Sequence, residues 1–298
     1  MILYALYRIG IFLALVLPLK TTYRMACAAA DMYCLISAKD RNAVISNLQM
    51  VLGDTVDGKR LEGMAREVFK NFAKYLVDFF RFTKIDEEYV KRLVKIEGVE
   101  HIRSALAKGK GAIMLSAHVG NWELGAAALS LSGYPINAVV MTHQNKKIND
   151  FFTRQRLMGK MRPIEIGASL KDCYRVLKSN GLLALMGDRD FTKNGLRIEF
   201  FGKTTLLPKG PAVFGYREGA AIVPTFMVRQ PDDSFRLFME PPIFAGHGED
   251  ESRAVTELAN RYVRVMETYI RRYPTQWYVF RELWECDGKR SMRPDTVI

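Results

Sequence analysis

The chain is expected to be an α/β protein, a mixed central sheet flanked by helices, with an N-terminal membrane-associated helix and a helical preamble. Three observations predict this. The first nineteen residues are almost wholly apolar, residues 39 to 82 carry helical periodicity, and from Gly111 onward short apolar runs alternate with longer amphipathic ones. With 298 residues and 49% hydrophobic content, the chain can bury one large core.

In chain order, Met1 to Leu19 is apolar except for Tyr4, Tyr7, Arg8 and Gly10. About 20 residues span a bilayer, and Arg8 leaves only Ile9 to Leu19 free of charge, so spanning and lying in the interface both stay open. A buried helix of a soluble fold is the competing reading. No basic stretch precedes the apolar run, so a cleaved signal peptide fits poorly. Residues 1–24 are assigned to this anchor. Lys20, Arg24 and the basic body behind them put the remainder on the cytoplasmic face by the positive-inside rule.

Residues 25–298 form the second unit, a helical preamble (25–108) and an α/β core (109–298). Val44, Leu48 and Val51, then Phe69, Phe72, Phe79 and Phe80, supply apolar helix faces in the preamble. The core pattern predicts strands at 112–116, 136–141, 163–166, 182–186, 196–200, 221–228 and 235–239. Helices are expected at 122–131, 146–158, 168–179 and 251–272.

The chemistry is concentrated in Leu115-Ser-Ala-His-Val-Gly-Asn-Trp-Glu-Leu124, where His118 and Glu123 bracket a turn from an apolar strand into a helix. A carboxylate that accepts from one imidazole nitrogen fixes the tautomer and leaves the other nitrogen to take a proton from a hydroxyl or amine. Such a dyad suits acyl transfer. The structural reading stands beside it: Asn121 is a good helix N-cap, Glu123 in a first turn suits the helix dipole, and His118 can be a core histidine.

This run resembles the H-x4-D/E block of the glycerolipid acyltransferase superfamily, in the H-F-G-N-W-E form of the bacterial lipid A late acyltransferases. Asp188-Arg-Asp190 is similar to that family's D-x-D, Phe200-Phe201-Gly202 to its F-F-G, and Lys209 to Pro224 to its helix, small-residue turn and strand. Tyr273-Pro-Thr-Gln-Trp277 resembles the family's H-P-E-Q-W block, and Asn47-Leu48 lies in the region before the catalytic domain. The likeness spans about the whole chain. Two departures are Val119 in place of a phenylalanine and Arg281-Glu-Leu-Trp284 in place of a histidine and two arginines. Enzymes that acylate phosphatidylinositol mannosides also lack that basic run, so the acceptor stays open between the two branches.

The resemblance implies that His118, oriented by Glu123, deprotonates a hydroxyl of a lipid A precursor, which attacks a fatty acyl thioester. The thioester comes from acyl carrier protein or coenzyme A, and no cofactor or metal is needed. Backbone amides near Gly120 are the oxyanion candidates. Asp188 and Asp190 follow a predicted strand and either bind substrate and orient side chains or form an Asx turn. Arg156 best matches the family's arginine. With Arg154 and Arg189, it is a candidate to meet a phosphate, against a solvated helix face. His143 follows a strand without support from any block, and His101 and His247 read as surface residues. A histidyl intermediate, a thioesterase using the same dyad, and a non-enzymatic lipid-binding protein are the rival readings; no G-x-S-x-G serine elbow is present.

Charge and cysteines narrow the partners. A net charge of +12 favours acidic surfaces, namely anionic lipid, phosphorylated glycolipid, acyl carrier protein or nucleic acid. Without zinc-finger spacing, RNA-binding aromatics or a basic tail, nucleic acid is not expected. Cys27, Cys34, Cys173 and Cys286 are dispersed, which points to structural thiols in a reducing compartment. Together with the resemblance, this predicts the bacterial inner membrane, with the catalytic domain on its cytoplasmic face.

Overall fold

In the computed structural model the described residues are 2–166, 170–190, 194–246 and 250–284; His247 and Cys286 lie outside them. The first helices in order are α1 (Ile2–Val16), α2 (Leu19–Ile36), α3 (Ala38–Leu52), α4 (Gly58–Phe80) and α5 (Glu87–Leu93). Then follow β1 (Val94–Glu97), α6 (Val99–Leu106), β2 (Ala112–Ser116), α7 (Trp122–Leu131), β3 (Ile136–Val140), α8 (Lys146–Met158) and β4 (Arg162–Glu165). The remainder comprises α9 (Leu170–Lys178), β5 (Leu182–Met186), β6 (Leu196–Phe200), β7 (Lys203–Leu207), α10 (Gly210–Glu218), β8 (Ala221–Arg229), β9 (Phe235–Met239) and α11 (Glu251–Arg272).

Seven strands build the central sheet in the order β1-β9-β8-β2-β5-β3-β4, parallel throughout except for the β8–β9 pair. Such a sheet is covered on both faces, so its central strands read as unbroken apolar runs. β8 is buried at every position. Successive side chains still alternate between layers: Ile113 and Leu115 enter one core with α9, α10 and α11, while Ala112 and Met114 enter the other with α7 and α8. The helices α2, α3 and α4 make a third, smaller core.

Pro224 sits inside β8, where its missing N–H would cost a central ladder. It falls at the end of the β2 ladder, opposite Leu115; from Thr225 on β8 runs its ladder with β9 and meets the chain beyond β2 through a bridge from Met227 to Gly120. There β2 leaves the sheet toward His118, so proline stands where one ladder has finished.

Two strands are additional to the pattern read from sequence. β1, within the stretch expected to be helical preamble, adds an edge strand beside β9. β7 returns on β6 through Phe201 and Gly202, both at positive φ (53° and 78°), a two-residue hairpin that accounts for the F-F-G block. Phe201 tolerates this left-handed backbone with its amide donating to Glu267 Oε1 at 2.5 Å.

The N-terminal anchor read over residues 1–24 is two helices broken at Pro18. The 15 residues of α1 rise about 22 Å, short of a hydrocarbon core of about 30 Å. No helix among the described residues is long and apolar enough to cross a membrane. Instead α1 packs on α4: Tyr7 meets Phe80 edge-on at 5.8 Å, and Gly10 admits the Phe80 ring. Its final carbonyls accept from cations, Ala14 and Leu17 from Arg81 and Leu15 from Lys84, the charge that suits a helix C-terminus.

Candidate active site

The site begins with strand register. β2 and β5 are parallel neighbours with Ser116 beside Met186, and the same register continued past both ends sets His118 opposite Asp188. Both residues therefore emerge at the carboxyl edge of the sheet, where open α/β folds carry their ligands.

There His118 Nδ1 lies 2.7 Å from Asp188 Oδ1, and the His118 amide donates to Asp188 Oδ2 at 2.9 Å. The indole of Trp277 donates to the same Oδ2 at 3.0 Å. Asp188 is fully buried, which by itself would raise its pKa. His118, Arg189 and the amide bond outweigh burial and hold the carboxyl well below the usual carboxylate range. Arg189 Nε also lies 3.1 Å from His118 Nδ1. One nitrogen cannot donate to Asp188 and accept from Arg189 at once. With Asp188 ionised, Nδ1 keeps the proton and Arg189 stands as a neighbouring cation. Nε2 then has the lone pair, and no described residue bonds to it. Burial, then Arg189 and Arg281, push the imidazole below its ordinary pKa against the opposing pull of Asp188.

The structure thus corrects one pairing read from sequence: the carboxylate on the His118 ring is Asp188, and Glu123 bonds elsewhere. Glu123, in the first turn of α7, accepts from Arg156 Nε at 3.0 and 3.2 Å and from its terminal nitrogen at 2.6 Å. Both partners are buried, and Glu123 outweighs burial to raise the Arg156 pKa. Arg156 is therefore committed to Glu123. Arg154 is exposed and turns back to the Asp150 carbonyl at 3.2 Å. Asp190 accepts from the Gly195 amide at 3.2 Å, and its carbonyl accepts from Arg281 at 3.4 Å. The His143 ring lies 4.4 Å from Phe152, and burial and Arg156 lower its pKa.

The loop between β2 and α7 is held at each residue. Gly120 has φ +66°, and a Cβ there would stand 1.9 Å from the Met227 carbonyl oxygen, so only glycine fits. Its amide donates to the Gln276 carbonyl at 2.8 Å, which corrects the oxyanion assignment: that N–H is already used. Asn121 caps α7 through Oδ1, accepting from the Leu124 amide at 3.0 Å, and donates from Nδ2 to Asp78 at 2.8 Å. Asp78, buried at the end of α4, also holds Tyr23 and Arg229. Through it the helical preamble grips the β2–α7 loop.

Three contributors went unread in the sequence. Trp277 belongs to a block noticed only by resemblance. Asp78 and Arg229 look like ordinary charges, and a helix-terminal aspartate carries no pattern that announces burial. Asn47, noticed without a role, bonds the Val279 and Arg281 carbonyls at 3.0 and 2.8 Å and so fastens the segment after Trp277.

Fold and site define an α/β protein whose polar groups converge on a carboxylate-bound imidazole at the carboxyl edge of a mostly parallel sheet. The family described as bacterial lipid A biosynthesis acyltransferase matches residues 1–286. The chain belongs to that family and is an acyltransferase. It is 25% identical over 230 residues to a phosphatidylinositol mannoside acyltransferase of Mycolicibacterium smegmatis (76% of this chain, 74% of that protein). It is also 25% identical to the lipid A biosynthesis palmitoleoyltransferase of Escherichia coli (72% and 69%) and 22% identical to its lauroyltransferase (78% and 76%).

Proposed function

We propose that the protein moves a fatty acyl group from a thioester of acyl carrier protein or coenzyme A to a hydroxyl of a lipid A precursor, with His118 as general base. The observation that carries this reading is the imidazole fixed through Nδ1 by an ionised Asp188, with Nε2 left for a substrate. The acceptor hydroxyl gives its proton to Nε2 as its oxygen attacks the thioester carbon. The tetrahedral species then expels the thiolate, which takes the proton back. No covalent enzyme intermediate is required. In this scheme Asp188 orients His118, while Glu123 and Arg156 act as a buried pair that stiffens α7 against α8. Arg189 and Arg281, close enough to lower the His118 pKa, are the cations that meet a substrate phosphate.

A phosphatidylinositol mannoside is the second acceptor. Relatives named phosphatidylinositol mannoside acyltransferase match about three quarters of the chain, and Arg281-Glu-Leu-Trp284 stands where the lipid A resemblance would have a histidine and two arginines. The exposed apolar side of α1 supports work at a membrane surface, which we assign to the cytoplasmic face of the bacterial inner membrane.

The test is mass spectrometry of lipids after incubation of wild type and His118→Ala with acyl thioesters and both acceptor classes. An acylated glycolipid made by wild type and reduced about 10²–10⁴-fold in the variant is expected. Free fatty acid alone would make the protein a thioesterase, and equal product from the variant would end the general-base reading.

A further inference from the structure

Trp277 is 3% exposed, packed among Phe200, Phe201 and Trp284, and a buried indole N–H must find an acceptor. Its acceptor is Asp188 Oδ2, at 3.0 Å. The other described donors to this carboxylate, the ring and amide of His118, both come from the residue it orients. The indole is thus the contact that ties Asp188 to a separate part of the chain.

That part is itself pinned to the His118 loop. Gly120 donates to the Gln276 carbonyl at 2.8 Å, the Tyr278 amide donates to the His118 carbonyl at 2.9 Å, and Val119 and Trp277 form an antiparallel bridge between these bonds. The Gln276 side chain meanwhile holds the Arg229 backbone at both its amide and its carbonyl, each at 2.9 Å. Backbone pairing on either side of Trp277 sets the height of its ring, and the ring sets where Oδ2 lies. With Oδ2 fixed by two donors, the carboxylate cannot rotate about its own axis, and Oδ1 stays directed at Nδ1.

We propose that Trp277 is a positioning residue for acyl transfer, acting through Asp188 to fix the orientation and proton affinity of His118. This rests on the reading of His118 as the base. Removal of the N–H leaves the Asp188 carboxylate less satisfied and hence a stronger acceptor for the protonated imidazole. The His118 pKa should rise, and the acid limb of kcat/KM should move to higher pH.

The decisive replacement is β-(3-benzothienyl)alanine at position 277, which keeps the bicyclic shape and substitutes sulfur for N–H; Trp277→Phe is the genetically simple companion. Expected for the analogue are an unchanged unfolding temperature, kcat lower by about tenfold with KM changed less than about threefold, and an acid limb moved upward by about 0.5–1 pH unit. In an Asp188→Asn background, where no carboxylate remains to be tuned, the same replacement should leave the limb where Asp188→Asn alone puts it. An unmoved limb in the otherwise wild-type enzyme, or an equal shift in both backgrounds, would reduce Trp277 to packing and overturn the proposal. His118→Ala run alongside separates the two readings: activity that survives it refutes the base assignment, whereas activity lost there with an unmoved limb at position 277 refutes only this inference.

Discussion

A buried imidazole beside two arginines titrates low, so the base form of His118 should persist to acidic pH and the acid limb of kcat/KM should lie below the ordinary histidine value. Arg189→Gln removes a cation that opposes protonation and should shift the limb upward. Asp188→Asn removes the anion that favours protonation, should shift it downward, and should lower kcat about 10²–10⁴-fold. Paired pH profiles check both signs, and movement in the same direction would contradict the arrangement. Glu123 leads to a different expectation. Glu123→Ala strands the buried Arg156 charge and should cost about 3–5 kcal/mol in denaturant unfolding, while the double variant with Arg156→Met should regain most of it. If the double variant also regains activity, Glu123 works through Arg156; full stability with no activity would give Glu123 a direct part in the chemistry. The H-x4-E spacing led to the β2–α7 loop, where His118 lies against a carboxylate. It could not reveal the ring's carboxylate, because α7 carries Glu123 toward α8 while Asp188 arrives from a neighbouring strand seventy positions away in sequence.

At the scale of elements, the β2–α7 turn depends on Gly120 and Asn121. Gly120→Ala forces a Cβ into the Met227 carbonyl in a left-handed backbone, so the loop must move. Its expected result is near-complete loss of activity with a lower unfolding temperature. Asn121→Ala should cost more than the roughly 1 kcal/mol of an ordinary cap, because Asp78 loses a donor as well; chemical denaturation measures the difference. Strong periodicity made the core legible: the long helix α11 and the buried strands β2, β5 and β9 lie where the pattern put them. β1, with the sequence Val-Lys-Ile-Glu, is too short and too charged to stand out from a helical stretch, and only its pairing with β9 makes it a strand. β7 was hidden differently, since Phe201 at positive φ is an improbable hairpin residue without Glu267 to hold its amide.

For the whole molecule, the question is how a basic protein with no spanning helix among its described residues meets a lipid substrate. One side of α1 is fastened to the body by Tyr7, Gly10 and the carbonyl contacts to Arg81 and Lys84. The other side leaves Leu6, Ile9, Phe12 and Val16 between 56% and 63% exposed, with Arg8, Lys20 and Arg24 exposed nearby. An apolar stripe beside cations, on a helix packed against the body rather than projecting from it, has the make-up that interfacial helices use, and the proposed work at a membrane surface gives α1 that role. Burying such a side chain is worth about 1.5–3 kcal/mol, so Ile9→Asp with Phe12→Asp should weaken vesicle binding by more than about a hundredfold. The unfolding temperature should barely change, because neither side chain supports the core. Co-sedimentation with anionic vesicles, repeated with neutral vesicles and at about 1 M salt, separates the two attractions: screening should remove the charge contribution and leave the apolar one. Binding that the double substitution leaves intact but salt abolishes would mean that charge alone docks the enzyme, and that the stripe on α1 faces something other than lipid.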